Sequence, residues 1–366
     1  MNKKIAVLGA GNGGCALSGH LAMKGFNVNI FEHPKFELNL KEIKEKAGIE
    51  LIGKIKGFGK LANITTDIEV AVKGVDIVMV VAPAFAHLIF MEMAIPYLQD
   101  GQIIIFNPDN YSSLRFRKLL KEKNVKKKIY TAGTASLLYA TRKATPSKAN
   151  IFEIKSFMPV GVLPSVDTEY VLKNLKELFS EFIPTDNIIK VDLENTNMIV
   201  HCPTAVLNAG RIESTEGDFM FYWEGMTESV CRVMEEIDRE RIRVGEKFGF
   251  KLIDELTLGR QFYNKENPGR DLHDFLTHNS VHGGRGPDSP KDLKHRYLTE
   301  DVPFGLVAVS SLGKLVDVPT PATDSIVVLA SILNQEDYMG NGITVEKIGL
   351  SNRTLPEIQD YLKEGI

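Results

Sequence analysis

Residues 5–14 of the chain read Ile5-Ala6-Val7-Leu8-Gly9-Ala10-Gly11-Asn12-Gly13-Gly14. The first four form a short apolar run, which is typical of a buried strand. The glycines at positions 9, 11 and 14 match the pattern G-x-G-x-x-G, and a helical pattern begins near position 13. A strand, a glycine-rich turn and a helix in this order predict a phosphate-binding turn, because a helix N-terminus offers unpaired N–H groups and a positive dipole end.

Each glycine of the turn has its own physical role. Gly9 permits the tight turn, Gly11 lets a pyrophosphate approach the backbone, and Gly14 lets helix and strand pack closely. The pattern in this context predicts a Rossmann dinucleotide site, and the alternative is a generic glycine-rich turn before a helix. The predicted cofactor-binding residues here are Gly9, Ala10, Gly11, Asn12, Gly13 and Gly14.

An acidic residue about 20 positions further on gives a second test of the dinucleotide prediction. Glu32 follows the strand-like run Asn27–Phe31, where a carboxylate can accept the ribose hydroxyls of NAD. It would repel the 2′-phosphate of NADP unless a nearby cation compensates, and His33 and Lys35 are close in sequence. We therefore predict Glu32 as a cofactor-binding residue and NAD as the cofactor, with NADP still open.

The first half of the chain alternates strand-like and helix-like runs, which predicts a parallel, doubly wound α/β sheet. The predicted strands are Ile5–Leu8, Asn27–Phe31, Asp76–Val81, Gln102–Phe106 and Lys128–Thr131. The predicted helices are Gly13–Lys24, Phe85–Leu98 and Ser112–Glu122. A glycine-punctuated hairpin over Ile49–Leu61 interrupts the alternation.

The second half of the chain is predicted to be helical. Apolar residues at helical spacing among many charges predict a long amphipathic helix over Trp223–Phe248. Further helices are predicted over Gly305–Leu315, Thr320–Leu333 and Leu355–Glu364. We therefore predict two domains, a dinucleotide-binding domain of residues 1–190 and an all-helical substrate and catalytic domain of residues 191–366. The long helix could also serve a homodimer interface.

The composition excludes several classes of function. Of 366 residues, 43% are hydrophobic and 25% are charged, which is ordinary for a globular protein, and the net charge is −3. A basic field for nucleic acid or an anionic membrane is therefore absent. The longest apolar run, near Ile77–Ala86, is far shorter than the ~20 residues that span a bilayer. The three cysteines, Cys15, Cys202 and Cys231, are scattered, so we expect a cytoplasmic chain without disulfides.

Two turns follow core strands at the edge of the sheet where dinucleotides bind. Ala82 and Pro83 follow the strand Asp76–Val81, and we predict that they line the cofactor; a simple strand-to-helix turn is the alternative. Asn107–Asn110 occupies the same place one strand along, and Asn110 can equally be the N-cap of the next helix.

A polar stripe lies in the apolar segment that opens the second domain. Asn197, His201, Thr204 and Asn208 are at i, i+4, i+7 and i+11, so on one helix they would share a face. Such a stripe suggests a cleft lining, while the alternative is a core histidine with capping residues. Pro203 removes one backbone hydrogen bond and predicts a kink or a nearby helix start.

A second polar segment, Arg296–Pro303, ends with Pro303, which disfavours helix at the preceding residue. Hydride transfer to a carbonyl or imine needs a proton donor with a pKa near neutrality, which suits histidine. A carboxylate on the other ring nitrogen would fix its tautomer, and an arginine suits a substrate carboxylate. His201, Asp301 and Arg296 supply these three parts; each alone could also be a surface ion pair or a cap.

Other histidines lie near acidic residues but carry no metal prediction. His273, His278 and His282 surround Asp271 and Asp274 without the spacing of a metal-binding helix. We therefore predict no metal site.

Three motifs together resemble one family. They are GAGNGG at residues 9–14, the run Asn195–Pro203 with His201 before Cys-Pro, and HRYLTEDVPFGLV at residues 295–307. The chain resembles the NAD(P)-dependent octopine/nopaline (opine) dehydrogenase family over nearly its whole length. The resemblance implies a Rossmann domain followed by an all-α domain like the C-terminal domain of 6-phosphogluconate dehydrogenase.

The resemblance also implies a reaction and its residues. An α-keto acid and the amine of an amino acid form an imine, which NAD(P)H reduces to an opine. His201 matches the family's catalytic histidine, Asp301 its partner and Arg296 its substrate-binding arginine. The segment Gly133–Tyr139 resembles a strand end that borders the substrate. The implied substrate-binding residues are Arg296, Asn197, Asn208, Thr134 and Tyr139.

Two alternatives remain open from the sequence. Ketopantoate-type keto-acid reductases share the architecture but usually use a lysine as the acid, whereas His201 stands here. A dinucleotide-binding sensor without catalysis would not need the set of His201, Asp301 and Arg296. The substrates are predicted to be small molecules, and the sequence does not identify which keto acid and which amino acid they are.

Overall fold

The computed structural model describes residues 3–263, 269–278 and 287–365. The chain divides into two compact units, one of residues 1–192 with 360–366 and one of residues 193–359. The predicted domains, 1–190 and 191–366, differ from these units chiefly at the end of the chain. Gly365 lies against Pro164, where an added Cβ would be 3.3 Å from the proline ring, so this end of the chain groups with the first unit.

Among the described residues, the first unit forms an eight-stranded sheet and a separate four-stranded sheet. The strands in chain order are β1 Lys4–Leu8, β2 Asn27–Phe31, β3 Gly48–Gly53, β4 Gly57–Lys60, β5 Asn63–Thr65, β6 Ile77–Val80, β7 Ile103–Phe106, β8 Tyr130–Thr134, β9 Tyr139–Thr145, β10 Lys148–Ile154, β11 Met158–Leu163 and β12 Phe182–Pro184.

The larger sheet confirms the predicted parallel, doubly wound fold. Its order is β12-β11-β8-β7-β6-β1-β2-β5, and the six strands from β8 to β5 in that order run parallel. Their order is that of the Rossmann fold, which places the carboxyl ends of β1, β2 and β6 at one edge. Strand β11 pairs antiparallel with β8 on one side and parallel with β12 on the other.

The helices in chain order are α1 Asn12–Met23, α2 Lys41–Lys46, α3 Ile68–Val72, α4 Ala84–Ala94, α5 Ser112–Glu122, α6 Thr168–Leu175, α7 Ile188–Leu193, α8 Asn197–Leu207, α9 Ala209–Thr215, α10 Glu228–Lys247, α11 Glu255–Tyr263, α12 Leu272–His278, α13 Arg296–Thr299, α14 Val307–Leu315, α15 Pro321–Asn334, α16 Tyr338–Asn341 and α17 Leu355–Glu364. Short 3₁₀ helices span Pro34–Leu40, Ile95–Tyr97 and Ser165–Asp167, and a π-helical turn spans Val302–Leu306.

Helix α1 packs between the two sheets. The smaller sheet has the order β4-β3-β10-β9 and lies against the side of α1 that faces away from β1. Helix α1 and strand β4 approach each other closely because each has a glycine at the point of contact. A Cβ on Gly59 would overlap the carbonyl oxygen of Gly19. The sequence predicted the β3–β4 hairpin as Ile49–Leu61, but it did not predict β9 and β10.

The other face of the larger sheet carries the apolar core. Buried side chains from α3, α4 and α5 pack on it, with an edge-to-face contact between Phe31 and Phe90 at 5.5 Å. A second such contact joins Phe106 and Phe116 at 5.9 Å. Strands β6 and β7 are buried on both faces, as their continuous apolar runs predicted.

The second unit is helical in its described residues, as predicted, and two helix starts differ from the prediction by two residues or more. The predicted helix Trp223–Phe248 begins later, at Glu228, because the Thr227 side chain accepts the N–H of Val230 as an N-cap. The predicted helix Gly305–Leu315 begins as an α-helix at Val307, after the π-helical turn.

A buried arginine connects α10 to its surroundings. Arg241 is fully buried, and its guanidinium donates to Asp238 at 2.8 Å and to the carbonyl oxygens of Leu193 and Ile253 at 2.8 and 2.6 Å. The adjacent Glu240 accepts two N–H groups at the start of α15. Through Arg241 and Glu240, α10 is thus connected to Leu193, to Ile253 and to the start of α15.

In the described part of the chain, every helix is too short or too polar to cross a membrane.

Replacing Arg241 with methionine is expected to destabilise the protein strongly. The change leaves the buried Asp238 carboxylate and two carbonyl oxygens without their donor, and removing one partner of a buried ion pair costs about 3–5 kcal/mol. Thermal or urea unfolding measures the effect. The control is Arg239→Met on the same helix, whose ion pair with Glu236 is exposed and should leave stability near wild type. Equal stability of the two variants would contradict this reading of Arg241.

Candidate active site

The glycine-rich turn owes its shape to close approaches that only glycine permits. Gly9 has φ +112°, and a Cβ there would overlap the carbonyl oxygen of Val81. A Cβ on Gly14 would overlap the carbonyl oxygen of Gly9, so β1 and α1 meet at backbone distance. Gly11 has no atom within 4 Å of its Cβ position, so the space above the turn is open for a phosphate. The three glycines therefore fit the dinucleotide site predicted from the pattern.

Glu32 is held against this turn. Its side chain accepts the N–H of Ala10 at 3.2 Å, the N–H of His33 at 2.8 Å and the Asn39 amide at 3.1 Å. The residue is 6% exposed, and a carboxylate has about four acceptor positions, so capacity remains for a ribose hydroxyl. Sequence reasoning missed Asn39, because it lies in a 3₁₀ segment with no pattern of its own.

A buried histidine connects the turns that follow β6 and β7. His87 contacts the carbonyl oxygen of Ala82 through Nε2 and the Ser112 hydroxyl through Nδ1, both at 2.8 Å. Burial lowers the pKa of His87 to about 4, so the ring is neutral at pH 7. Pro83 is exposed and precedes α4 directly. Ala82 is thus fixed in place at the predicted cofactor edge.

Two buried carboxyl groups lie at the turn after β7. Asp109 accepts the N–H of Ser113, and Asp192 accepts the N–H of Tyr111 at 2.9 Å. The two carboxyl groups are buried and influence each other's ionisation. Burial raises the pKa of Asp109 to about 7 and raises that of Asp192 well above its usual range. Asn110 is not the N-cap of α5; it adopts a left-handed conformation two residues before the helix.

In the second unit, the structure brings two predicted residues together. His201, on α8, has Nδ1 2.8 Å from Oδ2 of Asp301, although 100 positions separate them in the sequence. Its Nε2 lies 3.0 Å from the Tyr222 hydroxyl, and its ring stacks on Tyr297 with centroids 4.0 Å apart. A carboxylate accepts, so Nδ1 carries the proton and Nε2 of the neutral ring is the acceptor for Tyr222. Sequence reasoning had not assigned Tyr222 or Tyr297 to His201.

Arg296 lies one turn before Asp301. Its Nε is 3.2 Å from Glu300, which is 1% exposed, while the arginine side chain is 47% exposed. Burial lowers the pKa of Arg296, but the carboxylates of Glu300 and Asp301 outweigh it, so the pKa is raised and the guanidinium stays charged. The guanidinium has five N–H donors and remains accessible to a carboxylate.

The predicted polar stripe on α8 is partly buried. Helix α8 runs through Pro203, and Thr204 is fully buried with its hydroxyl on the carbonyl of Val200 at 2.6 Å. The Asn208 amide donates to the carbonyl oxygens of Thr204 and Gly225 at 2.9 Å. Asn197 opens the helix at intermediate exposure. Asn208 therefore caps a turn, which is the capping alternative considered for this stripe.

The two predicted substrate residues of the first unit have internal partners. The Thr134 hydroxyl donates to the carbonyl of Ser136 at 2.8 Å, and the residue is 1% exposed. The Tyr139 hydroxyl is 2.6 Å from Nδ1 of His20, its ring meets Phe179, and the residue is 4% exposed. These contacts give both side chains a packing role within the first unit.

Among the described residues, no cluster of histidine, cysteine and acidic side chains could hold a metal ion. His282, one of the histidines considered in the sequence, lies outside the described residues.

The arrangement in the second unit suits proton transfer. A histidine with Nδ1 bound to a buried carboxylate presents Nε2 as the nitrogen that gives or takes a proton. The neighbouring cation suits a substrate carboxylate, because a planar guanidinium can bind both of its oxygens.

Two family models match different parts of the chain. Residues 184–334 match the family described as NAD/NADP octopine/nopaline dehydrogenase, alpha-helical domain. Residues 4–108 match the N-terminus of NAD-dependent glycerol-3-phosphate dehydrogenase.

Relatives match along the whole chain. The opine dehydrogenase of Arthrobacter sp. (strain 1C) is 33% identical over 364 residues, which covers 99% of both chains. The octopine dehydrogenase of Mizuhopecten yessoensis is 25% identical and covers 95% of this chain and 94% of its own.

Solved structures share the fold. A structure of octopine dehydrogenase with NADH and L-arginine has a TM-score of 0.77 at 22% identity, covering 98% of each chain. A ketopantoate reductase from Ralstonia eutropha JMP134 has a TM-score of 0.61 at 19% identity, covering 91% of this chain and 98% of its own. With a full-length relative at 33% identity, the chain belongs to the octopine/nopaline (opine) dehydrogenase family of NAD(P)-dependent oxidoreductases.

Proposed function

We propose that this opine dehydrogenase joins an α-keto acid to the amino group of an amino acid by NAD(P)H-dependent reduction, and oxidises the resulting opine in reverse. The observation that carries the proposal is the 2.8 Å contact between His201 and Asp301, with Arg296 on the adjoining turn. A chain that only bound a dinucleotide would not need this set. The names of the relatives, opine and octopine dehydrogenase, support the same substrate class.

The proposed reaction has two stages, formation of an imine and its reduction. The amine adds to the keto carbon and water leaves, which forms a C=N bond. NAD(P)H, when bound, would supply a hydride to the imine carbon, and the nitrogen must take up a proton to give a secondary amine with two carboxylates. The protein must therefore hold a carboxylate, handle a proton and fix the geometry of the reacting carbon.

His201 is proposed to handle the proton. Asp301 fixes Nδ1–H, so Nε2 faces the oxygen or nitrogen of the substrate, on the side where the Tyr222 hydroxyl now lies. Asp301 is buried beside the ring and also stabilises the charged imidazolium when the proton is taken up. Arg296, half exposed next to this pair, is proposed to bind a substrate carboxylate.

The cofactor is proposed to lie on the turn of residues 9–14, with its ribose on Glu32. The open space above Gly11 and the N-terminus of α1 suit a pyrophosphate, and Glu32 favours NAD over NADP. Ala82 and Pro83 are proposed to line the same edge. A cytoplasmic location is supported by three buried cysteines without disulfides, Cys15, Cys202 and Cys231. The homodimer stays a prediction.

The first experiment is NADH oxidation with a panel of α-keto acids, each with and without a panel of amino acids. We expect turnover that requires both partners, because the proposed site holds a keto acid for attack by an amine. Turnover with a keto acid alone would indicate a keto-acid reductase instead. Bound NADH with no turnover by any pair would favour a dinucleotide-binding protein without catalysis.

Asp301→Asn is expected to reduce kcat about a hundredfold to ten-thousandfold while leaving NADH binding intact. The asparagine amide can donate to Nδ1, which favours the tautomer with the proton on Nε2 and removes the acceptor there. Steady-state kinetics and an NADH titration measure the two effects. The matched control, Asp317→Asn at an exposed left-handed position, should keep wild-type kcat. A kcat of Asp301→Asn within a few-fold of wild type would refute the role of the pair.

A further inference from the structure

A lysine from the smaller sheet reaches the glycine-rich turn. The Nζ of Lys143, on β9, donates to the carbonyl oxygen of Ala10 at 3.0 Å. The backbone N–H of Lys143 donates to the side chain of Asn12, the first residue of α1, at 2.9 Å. The lysine is therefore anchored at both its backbone and its side chain to the turn between β1 and α1.

Lys143 and Glu32 both form hydrogen bonds with the backbone of Ala10. Glu32 accepts the N–H of Ala10, while Lys143 donates to its carbonyl oxygen. Both charges act on the buried thiol of Cys15: burial raises its pKa to about 12, Lys143 lowers the pKa and Glu32 raises it. The turn thus lies between one negative and one positive side chain.

The ammonium of Lys143 retains capacity for an anion. It has three donors, and the Ala10 carbonyl takes one of them. Among the residues that the structure describes, no carboxylate lies within ion-pair distance of Nζ. Gly11, the next residue after Ala10, has open space at its Cβ position. A full positive charge therefore lies next to Gly11, an exposed residue of the turn.

We infer that Lys143 binds a phosphate group of the dinucleotide. The inference rests on the dinucleotide-binding part of the proposed function and adds a residue that the motif of residues 9–14 does not contain. The helix N-terminus supplies about half a positive charge, so a lysine ammonium at its rim is the larger electrostatic contribution to holding a phosphate. The phosphate is either the pyrophosphate, above Gly11, or the 2′-phosphate of NADP, whose repulsion by Glu32 the lysine would offset.

Equilibrium binding to the full-length protein tests the inference. NADH and NADPH are titrated by fluorescence, and ADP and adenosine by competition, into the wild type, Lys143→Met and Lys143→Arg. Lys148→Met is the matched control, because Lys148 lies on the neighbouring strand and pairs with Glu50 instead. Thermal unfolding of each ligand-free variant shows whether the turn stays folded.

For Lys143→Met we expect about a tenfold weaker affinity for ADP and for the dinucleotide, and a shallower salt dependence, because one charge-assisted hydrogen bond is lost. Adenosine should bind as to the wild type, Lys143→Arg should retain most of the affinity, and Lys148→Met should match the wild type. Equal weakening with NADH and NADPH would assign the lysine to the pyrophosphate, and weakening with NADPH alone to the 2′-phosphate; either supports the inference.

Three results would overturn it. Unchanged affinities in Lys143→Met would show that the ammonium does not contact the ligand. Equal losses for ADP and adenosine would show that the lysine only shapes the turn through Ala10. Failure of the wild type to bind NADH and NADPH at all would overturn the dinucleotide site itself, and the inference with it.

Discussion

The structure of the first unit depends on one backbone crossing. The N–H of Gly9 donates to the carbonyl oxygen of Phe31 at 2.8 Å, and the N–H of Val81 donates to that of Leu8 at 2.8 Å. The ends of β1, β2 and β6 therefore meet at Gly9, where there is no room for a Cβ. The direction of α1, the carboxylate of Glu32 on Ala10 and the open position at Gly11 all follow from this crossing. A side chain at position 9 would collide with the carbonyl oxygen of Val81 and displace the turn that is proposed to hold the cofactor.

The site in the second unit depends on contacts between α8 and the segment of residues 296–306. The thiol of Cys202 donates to the carbonyl oxygen of Tyr297 at 3.3 Å, which fixes α8 next to α13. Because His201 precedes Cys202, the same contact brings its ring onto Tyr297 and its Nδ1 to Asp301. The half-exposed Arg296 and the buried Glu300 form an ion pair in the same segment, on either side of Tyr297 in the sequence. A short stretch of sequence thus supplies a stacking ring, a carboxylate and a cation to one histidine.

The sequence predicted those features that depend on local patterns. The glycine turn and the buried parallel strands were legible because their residue types are required by backbone geometry, and α5 and α17 were predicted with their observed bounds. His201, Asp301 and Arg296 were grouped because hydride transfer needs a proton donor, its carboxylate partner and a cation, and the family resemblance implied the same roles. No local pattern relates His201 to Asp301, because 100 positions separate them. Strands β9 and β10 were missed because charged and polar residues interrupt the alternation of apolar residues in both. The contact between the Tyr139 hydroxyl and His20 of α1 was not predicted either, because it joins residues far apart in the sequence.

The burial of Asp109 and Asp192 makes this fold sensitive to alkali, because it raises the pKa of both carboxyl groups. The folded pKa of Asp109, about 7, lies above the ordinary value for an aspartate of about 3.9, so near neutrality the folded chain retains a proton that the unfolded chain has released. The resulting stabilisation is complete at acid pH, below the unfolded value, and is lost as the pH rises through the folded one. Above that range two buried negative charges face each other behind the turn that follows β7. The edge of the sheet at which the dinucleotide is proposed to bind is therefore expected to lose stability as the solution becomes alkaline.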